Sequence, residues 1–86
     1  MDISVELTLT PLQDNYEPAI INFIKSLRAS GLTIKETPLS TQVYGEYDKV
    51  MGILNAEMKT ALEAVDRGLM YIKIVKSDRS DYAADF

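Results

Sequence analysis

The chain has 86 residues, enough for one domain with one modest hydrophobic core. It contains no cysteine and no histidine, which excludes disulfide frameworks, thiolate zinc sites and thiol nucleophiles and removes the commonest metal ligand and general base. Thirteen acidic and nine basic residues give a net charge of −4, which does not favour binding to nucleic acid or to an anionic membrane.

The first predicted element is a strand over residues 3–10. Apolar and polar residues alternate along it, which is typical of a strand with one face on the core. Pro11 ends the strand, and a helix follows in which Asp14 or Asn15 is placed to cap the first turn. Apolar residues at helical spacing continue this helix until Gly31, which predicts a left-handed residue at its end.

A hairpin is predicted after the first helix. The stretch LTIKET indicates a short strand with Leu32 and Ile34 facing inward, and the following PLS makes the turn into a strand over roughly residues 40–47. Val43 sets the phase of this strand, and Gly45 indicates a bulge or a close approach of the backbone. The outward residues are then Ser40, Gln42, Tyr44 and Glu46.

The second helix has the strongest periodic pattern in the chain, with Asp48 as its predicted cap. Its apolar stripe consists of Met51, Leu54, Met58, Ala61, Leu62 and Val65. The stretch LMYIKIVK then predicts a final strand with Met70, Ile72 and Ile74 facing inward. Residues 1–76 are thus predicted to form the domain, and residues 77–86 a tail that we expect to be mobile or to serve as an oligomer arm.

This order of elements, β-α-β-β-α-β in a short chain, predicts an α+β ferredoxin-like sandwich. Right-handed crossovers give a four-stranded antiparallel sheet of order 4-1-3-2, with both helices on one face. The tripeptide TPL occurs at the exit of the first strand and again in the turn before the third. The topology places both copies at the same end of the sheet, so we interpret them as neighbours in space and not as a repeat.

The helix-free face of this sheet is the candidate site, because strands 1 and 3 form its central pair. Its polar residues are Glu6, Thr8, Thr10, Ser40, Gln42 and Tyr44, with Thr41 and Tyr16 at the sheet end. One interpretation is a solvated sheet face on which Glu6 and Lys73 form a weak cross-strand ion pair. The other is a platform for a small polar aromatic or cationic ligand.

Four stretches carry a family resemblance: LTLTPL at 7–12, NYEPAI at 15–20, SGL at 30–32 and PLSTQVYGEYDKVM at 38–51. With them the sequence resembles the YkoF-like thiamine-binding proteins, which bind thiamine or its hydroxymethylpyrimidine half. The resemblance extends from about residue 5 to residue 76. It implies the ferredoxin-like fold, a homo-oligomer (dimer or tetramer) assembled through the sheet, and non-catalytic binding of this ligand. The implied contacts are Glu6, Thr8, Thr10, Tyr16, Ser40, Thr41, Gln42 and Tyr44, with no metal and no resident cofactor.

Other functional classes remain alternatives. The open sheet face of a regulatory or structural homo-oligomer would serve only subunit association. An acylphosphatase of this topology needs a phosphate-binding loop with an arginine after the first strand, and PLQDNY has none. No basic start or long apolar run precedes the first strand, and no stretch approaches membrane-spanning length. We therefore expect a soluble, cytoplasmic protein without nucleic-acid or membrane partners.

Overall fold

The four strands form one antiparallel sheet in the order β2-β3-β1-β4. The computed structural model describes residues 1–86. Its elements are β1 (Asp2–Pro11), α1 (Glu17–Ala29), β2 (Thr33–Glu36), β3 (Thr41–Glu46), α2 (Tyr47–Glu63) and β4 (Gly68–Val75). The strand order is the predicted 4-1-3-2 seen from the opposite edge. The predicted ferredoxin-like α+β fold is therefore confirmed.

The hydrophobic core lies between the sheet and the two helices. From β1, the side chains of Ile3, Val5 and Leu7 are almost completely buried, as the alternating pattern predicts. The helices contribute Phe23, Leu27, Val50, Leu54 and Ala61 to the same cluster. Complete burial of one aliphatic side chain stabilises the fold by about 1.5–3 kcal/mol, so this cluster supplies most of the driving force for the sandwich.

Both helices begin differently from the sequence prediction. Glu46 is the N-cap of α2, and its carboxylate accepts a hydrogen bond of 3.0 Å from the backbone N–H of Lys49. Hydrogen bonds from the backbone N–H groups of Lys49 and Asp48 lower the pKa of Glu46. Asp48 itself lies in the first turn, because Glu46 is the last residue with extended backbone angles.

The N-cap of α1 is Tyr16, which makes no side-chain capping bond, so the prediction of a cap at Asp14 or Asn15 was wrong. Pro18 near the helix start has no N–H to donate, which leaves one fewer group in need of a cap. The helix ends as predicted, with Gly31 at φ 83° directly after the C-cap residue. Neither helix combines the length and the apolar composition required to cross a bilayer.

Gly45 connects the end of β3 to the start of α2 through a close backbone approach. Its φ angle is 154°, a conformation that residues with a side chain rarely adopt. A Cβ atom at this position would lie 3.2 Å from Cγ2 of Val50, which is fully buried in the core. The close approach predicted from the sequence is therefore present, and it lets the first turn of α2 pack directly against the sheet.

The segment after β4 folds back across the helix-free face, and we call residues 77–82 the strap. The hydroxyl of Ser4 donates a hydrogen bond of 2.7 Å to the carbonyl oxygen of Ser77 and accepts one of 2.8 Å from the backbone N–H of Arg79. The ammonium group of Lys35 donates to the carbonyl oxygen of Ser80. As a result, Ser4 is only 9% exposed although it lies on the helix-free side of the sheet. The role of the tail as an oligomer arm stays a prediction.

We predict that Gly45→Ala destabilises the protein by about 1–3 kcal/mol, because the new methyl group strains the backbone and contacts Val50. Gly52→Ala is the matched control: Gly52 lies in α2, and an added Cβ meets no atom within 4 Å. It should stabilise the protein by about 0.5–1 kcal/mol. Urea denaturation measures both effects, and equal stabilities for the two variants would contradict the prediction.

We also predict that Ser4→Ala releases the strap, because it removes both hydrogen bonds that the hydroxyl makes. The expected cost is about 1–3 kcal/mol, and trypsin should cleave after Arg79 faster than in the unchanged protein. Ser26→Ala is the control, since this serine in α1 is half-buried and its hydroxyl makes no hydrogen bond within the chain. If both variants are cleaved at the same rate, Ser4 does not hold the strap.

Candidate functional site

The register of the strands arranges the helix-free face into rows. The Glu6 row contains Lys35, Gln42, Glu6 and Lys73, in order from β2 to β4. The Ser4 row contains Thr33, Tyr44, Ser4 and Val75. Neighbours within a row are about 4.8 Å apart, and successive rows about 6.8 Å. The strap is bonded to Ser4 and, through Ser80, to Lys35 at the β2 end of the Glu6 row. It leaves Gln42, Glu6 and Lys73 open to the cleft.

An open cleft of about 710 Å³ lies over the Glu6 row, and we call it the sheet cleft. The Glu6 row forms its floor, Tyr44 and Val75 lie at one side, and the strap contributes Arg79 and Tyr82. Its volume is within the range of ligand-binding clefts, about 300–1,000 Å³. It combines charged groups, an amide and two aromatic rings, contributed by the sheet and by the strap.

A second, smaller cleft of about 160 Å³ lies at the end of the sheet, and we call it the turn cleft. It exists because β1 is longer than β3: beyond Leu7, β1 pairs only with β4. The turn over residues 37–40 and helix α1 close over this free edge of β1. Apolar walls come from Ile20, Phe23, Ile24 and Leu39, and hydroxyl groups from Thr8, Thr37, Ser40 and Thr41. An apolar slot with polar edges suits a flat heteroaromatic ring.

The turn is held in one conformation by Thr37. Its hydroxyl donates to the carbonyl oxygen of Ser40 at 3.1 Å and accepts from the backbone N–H groups of Leu39 and Ser40, each at 3.2 Å. The hydroxyl of Thr8 donates to the carbonyl oxygen of Leu39 at 3.4 Å. Thr8, two residues before the first TPL copy, therefore contacts Leu39 of the second copy at one end of the sheet.

Ser40 links the two clefts through a chain of hydrogen bonds. Nε2 of Gln42 donates to Oγ of Ser40 at 2.8 Å, and Oγ of Ser40 donates to Oε2 of Glu6 at 2.9 Å. The ion pair between Glu6 and Lys73, expected for a merely solvated face, does not form: the only ion pair in the chain joins Arg28 to Glu36. Oε1 of Glu6 therefore has no hydrogen-bond partner within the chain and is free to accept one from a ligand.

Six of the eight predicted site residues line one of the two clefts, and the other two line neither. The sheet cleft contains Glu6, Gln42 and Tyr44, and the turn cleft contains Thr8, Ser40 and Thr41. The other two are Thr10 and Tyr16. Thr10 lies opposite Leu69 near the end of β1, and Tyr16 is the half-exposed N-cap of α1.

Sequence reasoning missed several cleft residues, among them Lys35, Phe23, Arg79 and Tyr82. Lys35 could have been found, because alternation along β2 places it on the same face as Gln42. Phe23 was assigned to the core, and it also forms a wall of the turn cleft. Arg79 and Tyr82 carried no signal, because the tail has no periodic pattern and reaches the sheet only through its contacts with Ser4 and Lys35.

Comparisons with solved structures agree with this architecture. A protein from Streptococcus pneumoniae is 28% identical to the chain with a TM-score of 0.83, and the match covers 91% of this chain and 89% of that one. A Thermotoga maritima protein, described as a candidate thiamine biosynthesis/salvage protein, is 16% identical with a TM-score of 0.80 and covers 90% and 85%. A domain of unknown function from Bacillus cereus is 15% identical with a TM-score of 0.75 and covers 91% and 78%.

The comparison with curated proteins gave no match. The family described as "thiamine-binding protein", in contrast, matches the chain over residues 5–85. Except for the first residues of β1, this range includes all four strands, both helices, the turn and the strap. The structure thus agrees with the resemblance seen in the sequence, and the chain belongs to the thiamine-binding protein family.

Proposed function

We propose that the protein binds thiamine or its hydroxymethylpyrimidine half and releases it unchanged, in salvage, delivery or sensing. The observation that carries this proposal is the hydrogen-bonded chain from Gln42 through Ser40 to Glu6, which joins a narrow apolar slot to a wider polar cleft. Thiamine also consists of two different parts, because a flat aminopyrimidine is joined to a cationic thiazolium ring. Membership of a binding family supports the proposal.

The turn cleft is the proposed site of the pyrimidine. An aminopyrimidine has ring nitrogens that accept hydrogen bonds and an amino group that donates them. The hydroxyl of Thr41 lines the cleft and makes no hydrogen bond within the chain, so it is available to a ring nitrogen. Phe23 and Leu39 offer apolar surface to the flat ring. Oε1 of Glu6 is a suitable acceptor for the amino group.

The sheet cleft is the proposed site of the thiazolium half. Its cationic ring would be attracted by the carboxylate of Glu6 and by the face of the Tyr44 ring. Tyr44 lines this cleft, and the ammonium group of Lys35 lies 5.7 Å from its ring centroid. We propose binding without turnover, because the chain offers neither histidine nor cysteine as a general base or thiol nucleophile.

Calorimetry with thiamine and with hydroxymethylpyrimidine tests the site. We expect binding in the micromolar range or tighter, with the pyrimidine contacts dominant. Gln42→Ala removes a neutral hydrogen bond and should weaken binding about three- to tenfold, whereas Glu6→Ala removes a charged acceptor and should weaken it about ten- to a hundredfold. Lys59→Ala, on the exposed side of α2, is the control and should leave the affinity unchanged.

A protein that binds no pyrimidine at millimolar concentration would contradict the proposal. The family resemblance would then describe the fold alone, and the regulatory or structural homo-oligomer would be the better account of the open sheet face.

We also propose that the protein forms a homo-oligomer, a dimer or tetramer, through its sheet. Support comes from β4, an edge strand that pairs only with β1. Its apolar side chains are exposed on both faces: Leu69 and Tyr71 on the helix-free face, and Ile72 and Ile74 on the helix side. Exposed apolar edge strands favour association with another chain, and a domain this small gains stability from it.

Light scattering at tens of micromolar should show a dimer or a larger species. An affinity on that scale corresponds to about 6–7 kcal/mol, and Leu69→Lys should shift the protein toward monomer by placing a charge on the interface. Ile21→Lys is the matched control, since Ile21 in α1 has a similar exposure, 47% against 44% for Leu69. A monomeric unchanged protein would refute the assembly, and dissociation by Ile21→Lys alone would place the interface on the helices.

A further inference from the structure

The sheet cleft concentrates positive charge that the recognition of thiamine does not require. Lys35, Lys73 and Arg79 line it together with a single carboxylate, that of Glu6. These lining groups have a net charge of +2 within a chain of −4, so the remaining residues have a net charge of −6. A cluster of cations at a cleft in an acidic protein focuses a local positive potential there.

Two of these three cations have no partner within the chain. The only ion pair, Arg28–Glu36, lies elsewhere. The ammonium group of Lys35 is already engaged, because it donates to Ser80 of the strap. The ammonium group of Lys73 and the guanidinium group of Arg79, in contrast, make no hydrogen bond in the protein. They are two free cations that line the same cleft.

The fold gives these cations a defined place relative to the other parts of the site. Along β1, Thr8 lies at the turn cleft, Glu6 comes next, and Ser4 follows at the far end of the face. Lys73 lies beside Glu6 in the same row, and Arg79 is held at Ser4 by its backbone N–H. The sequence of chemical groups along the face is therefore an apolar slot with hydroxyls, then the Glu6 carboxylate with Lys73 beside it, then Arg79.

We propose that the ligand of this protein is phosphorylated, and that Arg79 and Lys73 bind its phosphate group in the sheet cleft. This inference rests on the proposed function, because the pyrimidine of the same ligand occupies the turn cleft. A guanidinium group can bind two phosphate oxygens at once, and an ammonium group adds a compact charge. Thiamine monophosphate has its pyrimidine, its cationic ring and its phosphate in the same order as the three parts of the site.

The strap thereby contributes directly to ligand recognition. Ser4 anchors Arg79 by its backbone N–H at 2.8 Å. The side chain of Arg79 can therefore be changed without removing this anchor. Tyr82 lines the cleft from the same segment and offers a ring close to the ligand. The specificity for a phosphorylated ligand would thus depend on one residue of a strand, Lys73, and on one residue outside the strands and helices, Arg79.

The test compares thiamine with thiamine monophosphate by calorimetry, in the unchanged protein and in Arg79→Gln, Lys73→Met and the control Lys59→Gln. We expect the affinity for the monophosphate to exceed the affinity for thiamine by about tenfold or more. Arg79→Gln and Lys73→Met should each reduce this preference about fivefold or more, because each removes a charge-assisted contact to phosphate. Lys59→Gln removes the same charge from the exposed side of α2 and should retain the full preference. Inorganic phosphate should compete with the monophosphate and not with thiamine.

Each contrary result has a distinct meaning. Equal affinities for thiamine and its monophosphate, within twofold, would overturn the phosphate site and leave the proposed function intact. A preference that survives both Arg79→Gln and Lys73→Met would overturn the assignment to these two residues. If neither compound binds at millimolar concentration, the proposed function fails together with the phosphate site.

Discussion

The antiparallel pairing of β1 with both β3 and β4 is the interaction on which the rest of the structure depends. Every second residue of β1 is buried against the helices, and this alternation determines which side chains face outward. A shift of one residue in the register would bury Glu6 and expose Leu7. The core therefore fixes the register, and the register in turn fixes the rows of polar groups on the opposite face.

The difference in length between β1 and β3 creates the turn cleft, one part of the candidate site. A flat sheet face offers little concave surface, and ligands in general require a cleft. Here β3 begins only at Thr41, opposite Leu7, so the last residues of β1 leave a gap that the Thr37-stabilised turn and α1 enclose. The sheet cleft is formed in a different way: the strap crosses the sheet at Ser4 and leaves Gln42, Glu6 and Lys73 open beside it.

Charge is distributed unevenly over this small acidic protein, and the unevenness follows from the fold. Glu6 does not pair with its neighbour Lys73. Its carboxylate instead accepts a hydrogen bond from Ser40, whose hydroxyl accepts one from Gln42. An unpaired carboxylate and unpaired cations can coexist in one cleft when water or a ligand with both charges satisfies them. A zwitterionic, phosphorylated heteroaromatic compound meets both requirements.

Local patterns in the sequence were sufficient for the fold. Alternation in β1 and β3, helical periodicity in α2 and the glycine at the end of α1 each report on the conformation of a few neighbouring residues, and the short connections then allow one topology. Helix caps were less predictable. Glu46 caps α2 in place of Asp48 because the cap is decided by the last extended residue, and several nearby polar residues were chemically able to fill that position.

The sequence by itself determined the strand order, the outward phase of Glu6, Thr8, Gln42 and Tyr44, and the placement of the two TPL copies at one end of the sheet, since all of these follow from strand direction and the two-residue period. Only the tertiary structure decided the hydrogen bonding of Glu6, the exclusion of Thr10 and Tyr16 from both clefts, and the position of the strap. The physical reason is the range of the interactions. Secondary structure depends on neighbours a few residues away, whereas the hydrogen bond from Ser4 to Ser77 joins residues 73 positions apart, and no local pattern in either segment encodes it.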